Sequence, residues 1–114
     1  MLKFALIGLG VMGKNHYRAL QNVAGVQIAA LCDPFSKENF AYKIYADLNE
    51  MLENENLDAA VIATPTSLHK EVALKCMRKG LNLLIEKPVC AKAADAQILL
   101  EEAKRRDIKV AVGH

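Results

Sequence analysis

Three glycines near the start of the chain, Gly8, Gly10 and Gly13, stand at the spacing Gly-x-Gly-x-x-Gly, with Leu9, Val11 and Met12 between them. In a strand-to-helix turn the first permits a sharp reversal, the second lets backbone approach a pyrophosphate, and the third lets the helix sit close on the strand. The helix start then offers unpaired N–H groups and the positive end of its dipole to phosphate oxygens. The same glycines would also suit a tight turn that binds nothing. Asp33, 20 positions beyond Gly13, favours the ligand reading. A carboxylate there can accept both hydroxyls of an adenosine ribose and repels a 2′-phosphate, which predicts NAD rather than NADP. A second reactive group is Glu86-Lys87-Pro88. Lys87 can give a proton or hydrogen bond to a substrate oxygen while hydride is exchanged at the adjacent carbon. On the residues alone, a solvated Glu86–Lys87 ion pair is an equal reading.

The elements around these residues alternate. Phe4 to Ile7 is a short apolar run entering the glycine turn, as a strand buried on both faces would be. Met12, His16, Leu20 and Val23 then recur at helical spacing, which predicts a helix over 11–24 with Gly25 as its left-handed stop. The second strand runs from Val26 to Asp33, and Pro34 keeps Asp33 out of helical geometry at its tip. Ser36 can cap a short helix to about Tyr42, leaving Ile44 and Tyr45 as a brief third strand. Asp47 with Glu50 forms a capping box before Leu48, Met51 and Leu52. The uninterrupted Asp58–Ala63 run reads as a central parallel strand, stopped at Thr64-Pro65. Thr66 or Ser67 can cap the next helix, which presents Leu68, Val72, Cys76 and Met77 and ends at Gly80. Asn82–Glu86 is the following strand. A helix over 93–106 buries Ala96, Leu99, Leu100 and Ala103, and Ile108–Val112 is the last strand. Strand–helix alternation with right-handed crossovers predicts an α/β fold: a Rossmann-type doubly wound parallel sheet of order 3-2-1-4-5-6, with helices on both faces and a short third strand and second helix. Ligands then lie at the carboxyl ends of the strands, near the switch between the first and fourth. The glycine turn, Asp33, Thr64-Pro65 and Glu86-Lys87-Pro88 all fall there.

Composition narrows the partners. The 114 residues suffice for one domain, and 53% hydrophobic with 25% charged residues is an ordinary globular balance. A net charge of +2 from 15 basic and 13 acidic residues, with 5% aromatics, gives no basic surface for nucleic acid. Lys104, Arg105 and Arg106 close a predicted helix, where cations favour the negative end of its dipole. No run approaches the roughly 18 apolar residues of a membrane span. The first residues do not suit a signal peptide, because glycines interrupt the run and charge resumes at Lys14; a cytoplasmic location is expected. Cys32, Cys76 and Cys90 lack metal-ligand spacing, and the first two suit small buried hydrophobes. His16 reads as a core histidine with one hydrogen bond. His69 reads either as a cleft contact or as a partner for loop carbonyls.

GLGVMGKNH, CDP at Cys32–Pro34, DAAVIATPTSLH from Asp58, EKPVCA from Glu86 and a closing VGH occur in this order. Together they resemble the N-terminal domain of the glucose-fructose oxidoreductase / inositol 2-dehydrogenase family over essentially the whole chain. The resemblance implies that Gly8, Gly10 and Gly13, with Val11 and Met12 in the turn, hold the pyrophosphate of NAD and that Asp33 holds the adenosine ribose. It implies that Thr64, Pro65 and His69 line the cleft, Glu86 places the nicotinamide ribose, and Lys87 contacts the reacting oxygen. It further implies a cis peptide at Lys87-Pro88. One departure is Lys92, where the family has Ser or Thr to cap the helix; Asp95 can offset this through the dipole. Family enzymes continue into a second domain carrying most of the substrate pocket, so residues 1–114 are expected to be the dinucleotide-binding part of a longer oxidoreductase acting on a sugar, polyol or similar molecule. Homo-oligomers are common through that other domain. A non-catalytic NAD sensor is the alternative, and Lys87 separates the two, since a sensor has no use for a donor at the hydride site.

Overall fold

The computed structural model describes residues 1–36 and 40–113. Its centre is a six-stranded sheet of β1 (Leu2–Ile7), β2 (Val26–Cys32), β3 (Ile44–Tyr45), β4 (Ala59–Ile62), β5 (Asn82–Glu86) and β6 (Val110–Gly113). The spatial order is β3-β2-β1-β4-β5-β6 and every pairing is parallel. This is the doubly wound arrangement the alternation predicts. All four residues of β4 are buried, as are Ala5, Leu6 and Ile7 of β1, so the middle of the sheet is apolar on both sides. Burying a side chain such as Ile62 or Leu6 contributes about 1.5–3 kcal/mol, which fixes strand register before any ligand is considered.

The helices are α1 (Val11–Leu20), α2 (Leu48–Asn54), α3 (His69–Arg78) and α4 (Ala93–Arg106). Met51 of α2, Val72, Cys76 and Met77 of α3, and Leu99 of α4 share one cluster with Ile7, Ile62 and Ile85. Leu6, Leu31 and Val61 form a second cluster on the other face, joined by Tyr17 and Leu20 of α1. Tyr17 meets the rings of Phe40 and Tyr42 edge-on, with centroids 4.9 and 6.2 Å away. On this face an open apolar trough of about 310 Å³ runs over β4, β5 and β6, floored by residues including Ala59, Leu84 and Ala111.

Several local expectations need correction. The first helix stops at Leu20 rather than 24, because the Asn22 side chain donates to the Arg18 carbonyl while its N–H turns to Ala19. Gly25 does have positive φ, but in the turn leading to β2. Gly13 is the one buried residue of α1, and Met12 and Val23 are exposed. The helix lies close to the sheet at Gly13, and of the expected stripe only His16 and Leu20 are turned toward the protein, with Tyr17 beside them. Neither Thr66 nor Ser67 caps α3: Thr66–Leu68 is a 3-10 turn that takes the Leu68 N–H onto the Pro65 carbonyl. Leu100 is exposed, since α4 leans on α3 and only the stripe of Leu99 and Ala103 is covered. The helix expected over 36–42 rests on residues 37–39, which lie outside the described residues; Phe40–Tyr42 are not helical. The side chain of Asp47 does cap α2, accepting from the Glu50 N–H at 3.3 Å.

Candidate functional site

At the carboxyl ends of β1, β2 and β4 lies a cleft of about 620 Å³, and Gly8, Gly10, Val11, Met12, Asp33, Thr64 and Pro65 are among its walls. The glycines differ in what they do. Gly8 has φ +97°, and a Cβ there would stand 2.6 Å from the Ala63 carbonyl oxygen. A Cβ on Gly13 would stand 1.9 Å from the Gly8 carbonyl oxygen, so the third glycine is what lets α1 seat itself on the turn. Gly10 has nothing within 4 Å of its Cβ position. Protein packing therefore gives no reason for glycine at position 10, and the free space opens onto the cleft. Gly10 is also the N-cap of α1, with no side-chain cap and no acid in the first turn, so no side chain of the helix itself neutralises its positive end.

Asp33 faces this turn. Its Oδ2 accepts from the Leu9 N–H at 2.7 Å and its Oδ1 from the Phe35 N–H at 2.8 Å, which locks the glycine turn to the end of β2. Each carboxylate oxygen keeps further acceptor capacity for a hydroxyl. Cys32 lies next to it, its thiol pushed up to about 11 by burial, then by the Asp33 and Asp47 charges. Burial likewise pushes Cys76 up to about 12. Neither is placed to act as a nucleophile. Cys90, half-buried, is also raised, mainly by desolvation.

Around β5 the work is done by side chains. Glu86 is buried and its Oε1 meets His16 Nε2 from α1. His16 thus has the one hydrogen bond expected of it, is partly rather than fully buried, and takes as its partner the Glu86 carboxylate. Lys87 is exposed, its N–H donating to the Gly113 carbonyl at 3.2 Å, and the Lys87-Pro88 bond is cis. His69 is 1% exposed and does not reach the cleft wall. Its Nε2 sits 2.8 Å from the Thr64 carbonyl, and its Nδ1 sits 3.1 and 3.0 Å from those of Pro88 and Val89. Of its two readings from sequence, the geometry is that of the carbonyl partner. Thr64 Oγ1 is buried without a hydrogen-bond partner beside the cleft. Sequence reasoning missed Ala46, Leu48, Leu68 and Val72 in the cleft walls, since they belong to elements whose ends converge only in the folded sheet.

Residues 2–114 match the family model described as the oxidoreductase family with an NAD-binding Rossmann fold. The chain belongs to this family. Among relatives, a Sphingobium 4-carboxy-2-hydroxymuconate-6-semialdehyde dehydrogenase is 31% identical over 99% of the chain and 38% of its own length. The solved myo-inositol 2-dehydrogenase of Lactobacillus plantarum superposes with a TM-score of 0.90 at 30% identity, over 98% of this chain and 36% of that one. An Agrobacterium radiobacter oxidoreductase, solved with NAD⁺, L-tartaric acid and magnesium, gives 0.92 at 27% identity over 97% and 34%. The chain spans about a third of the length of the relatives it matches. In this NAD-binding Rossmann fold the residues present suit the dinucleotide. The unfilled space at Gly10, the bare start of α1, the unpartnered Thr64 hydroxyl and the Asp33 carboxylate all border one cleft. Among the described residues, no cluster of three His, Cys, Asp or Glu is placed to hold a metal, and no helix is long and apolar enough to cross a membrane.

Proposed function

We propose that this chain is the dinucleotide-binding part of an NAD-dependent oxidoreductase acting on a hydroxyl-bearing carbon of a sugar, polyol or similar small molecule. The observation that carries the reading is the juxtaposition at the switch point: a Cβ-free notch at Gly10 beside Asp33, with Lys87 at the end of the second strand along from β1. Bound NAD supplies the hydride acceptor. Gly10, Val11, Met12 and Gly13 present main-chain N–H groups to the pyrophosphate and Gly10 leaves it open space, Gly8 makes the turn with its own N–H on the Cys32 carbonyl, and Asp33 accepts the adenosine hydroxyls. Thr64 and Pro65 border the nicotinamide half, where the Thr64 hydroxyl gains a partner. Glu86 orients the neighbouring ribose. Lys87 holds a proton at the reacting oxygen, an ammonium being suited to stabilise charge that develops there. The substrate pocket belongs to a further domain of the longer protein, which is also the natural place for self-association. Three free thiols fit action in the reducing cytoplasm.

The test is Lys87→Ala in the complete protein, with NAD binding by calorimetry beside turnover on a panel of polyols and sugars. The expected result is a fall in turnover of about 100-fold or more with NAD affinity kept, the usual scale for losing a positioned acid. Turnover unaffected by the change would overturn the assignment and leave an NAD-binding module without chemistry at this strand.

A further inference from the structure

Lys87 is the reactive side chain of the reading above, yet it is exposed, and nothing in its own packing aims it. Its neighbours are held on both sides, each by a histidine from a different helix. On one side His16 of α1 grips the Glu86 carboxylate, with side-chain exposures of 18% and 11% for the pair. On the other, His69, the first residue of α3, has its Nδ1 between the carbonyls of Pro88 and Val89 and its Nε2 on that of Thr64. All three partners of the His69 ring are acceptors. In either tautomer the ring donates to one of the two loops, and it donates to both when both nitrogens carry hydrogen.

We propose that His16 and His69 are positioning residues that fix the Glu86–Val89 turn, and with it Lys87, in register with the dinucleotide cleft. His16 lies five residues into the helix that begins at Val11, about 7.5 Å along its axis, so one rigid rod sets the spacing between the phosphate seat and the Lys87 strand end. His69 does the same for the β4 loop, because Thr64 borders the cleft and Val89 follows the lysine. A buried contact to a charged group is the stronger kind of hydrogen bond, and a buried ring wedged between two loops, donating to at least one of them, fixes their separation. The positioning role rests on the oxidoreductase reading; the tether itself does not.

Hydrogen–deuterium exchange in the complete protein reads the tether directly. His16→Ala is expected to speed exchange over residues 87–91 by about tenfold, the scale of one lost charge-assisted bond, while amides of β1 and β4 keep their protection. His16→Gln, which restores a donor to Glu86, is expected to recover most of the protection. His69→Gln is expected to loosen residues 64–66 together with 87–91, a pairing no defect confined to one loop would give. NAD calorimetry on the same proteins separates the two levels: absence of binding by the unaltered protein removes the dinucleotide reading, whereas the exchange pattern judges the tethers regardless. Unchanged exchange over 87–91 in His16→Ala overturns the proposal, as does loss of protection spread evenly through the sheet. Should His16→Ala fail to fold, Glu86→Gln probes the same contact from its other end, with the same tenfold expectation and the same refuting result.

Discussion

On the β1–β2 side of the switch point the working surface is main chain: Gly8 and Gly13 are packed to the point where a Cβ has no room, and Asp33 is bonded to two backbone N–H groups. On the β5 side it is side chain, with Glu86 held by His16, and the carbonyls of Pro88 and Val89 held by His69. The difference teaches where each half draws its precision. Backbone on backbone leaves nothing to adjust, which suits a phosphate common to all dinucleotides. A turn held by two exchangeable rings can be re-aimed by substitution, which suits the substrate-facing role proposed for Lys87.

The sharpest way to break this comparison is at the glycines. Gly13→Ala should lower stability by about 3 kcal/mol or more, because the obstructing atom is the rigid Gly8 carbonyl, and a urea melt reads the effect. Gly10→Ala should stay within about 1 kcal/mol of the unaltered protein, the scale of an N-cap change, yet weaken NAD by about tenfold or more. Equal melts for the two variants would show that the turn is not backbone-limited. Next in size is Asp33→Ala, which removes the acceptor for the Leu9 N–H as well as the proposed ribose contact. NAD affinity should fall by about 10- to 100-fold, and the margin over NADP should shrink. Unchanged calorimetry with both cofactors would contradict the assignment.

The smallest effect concerns the sheet's outer edge on that side. The Tyr45 hydroxyl on β3 donates to Glu55 at 2.6 Å, and this bond, followed by burial and the Glu55 charge, pushes the phenol up to about 12 from its usual value near 10. Because the folded value is raised, the bond's contribution is whole below pH 10 and is lost as pH climbs through 12. The unaltered protein should therefore lose stability over that interval relative to Tyr45→Phe, as followed by alkaline melts. Parallel curves would show that the hydroxyl does not secure the edge.

Much of the fold was legible because central parallel strands must be apolar throughout and glycine punctuates their turns, so β1, β4 and β5 are visible as runs. The Gly8–Gly13 turn and Asp33 could be read from spacing for the same reason. The end of α1 could not, because it depends on whether one Asn side chain competes for the Arg18 carbonyl. Nor could the roles of His16 and His69. Periodicity says which residues share a helix face, not what that face meets, and His16 finds its carboxylate 70 residues away.

One feature of β6 reaches further than its size. Among the described residues this four-residue ribbon has a strand neighbour on one side only, and the carbonyl of its last residue, Gly113, is what receives the Lys87 N–H. Rim strands fray first. Were this one to peel away, the lysine's main chain would lose its mooring, so sealing that rim steadies the ammonium as well. The outermost hem of the sheet thereby becomes a dial on how sharply the proposed proton donor is pointed.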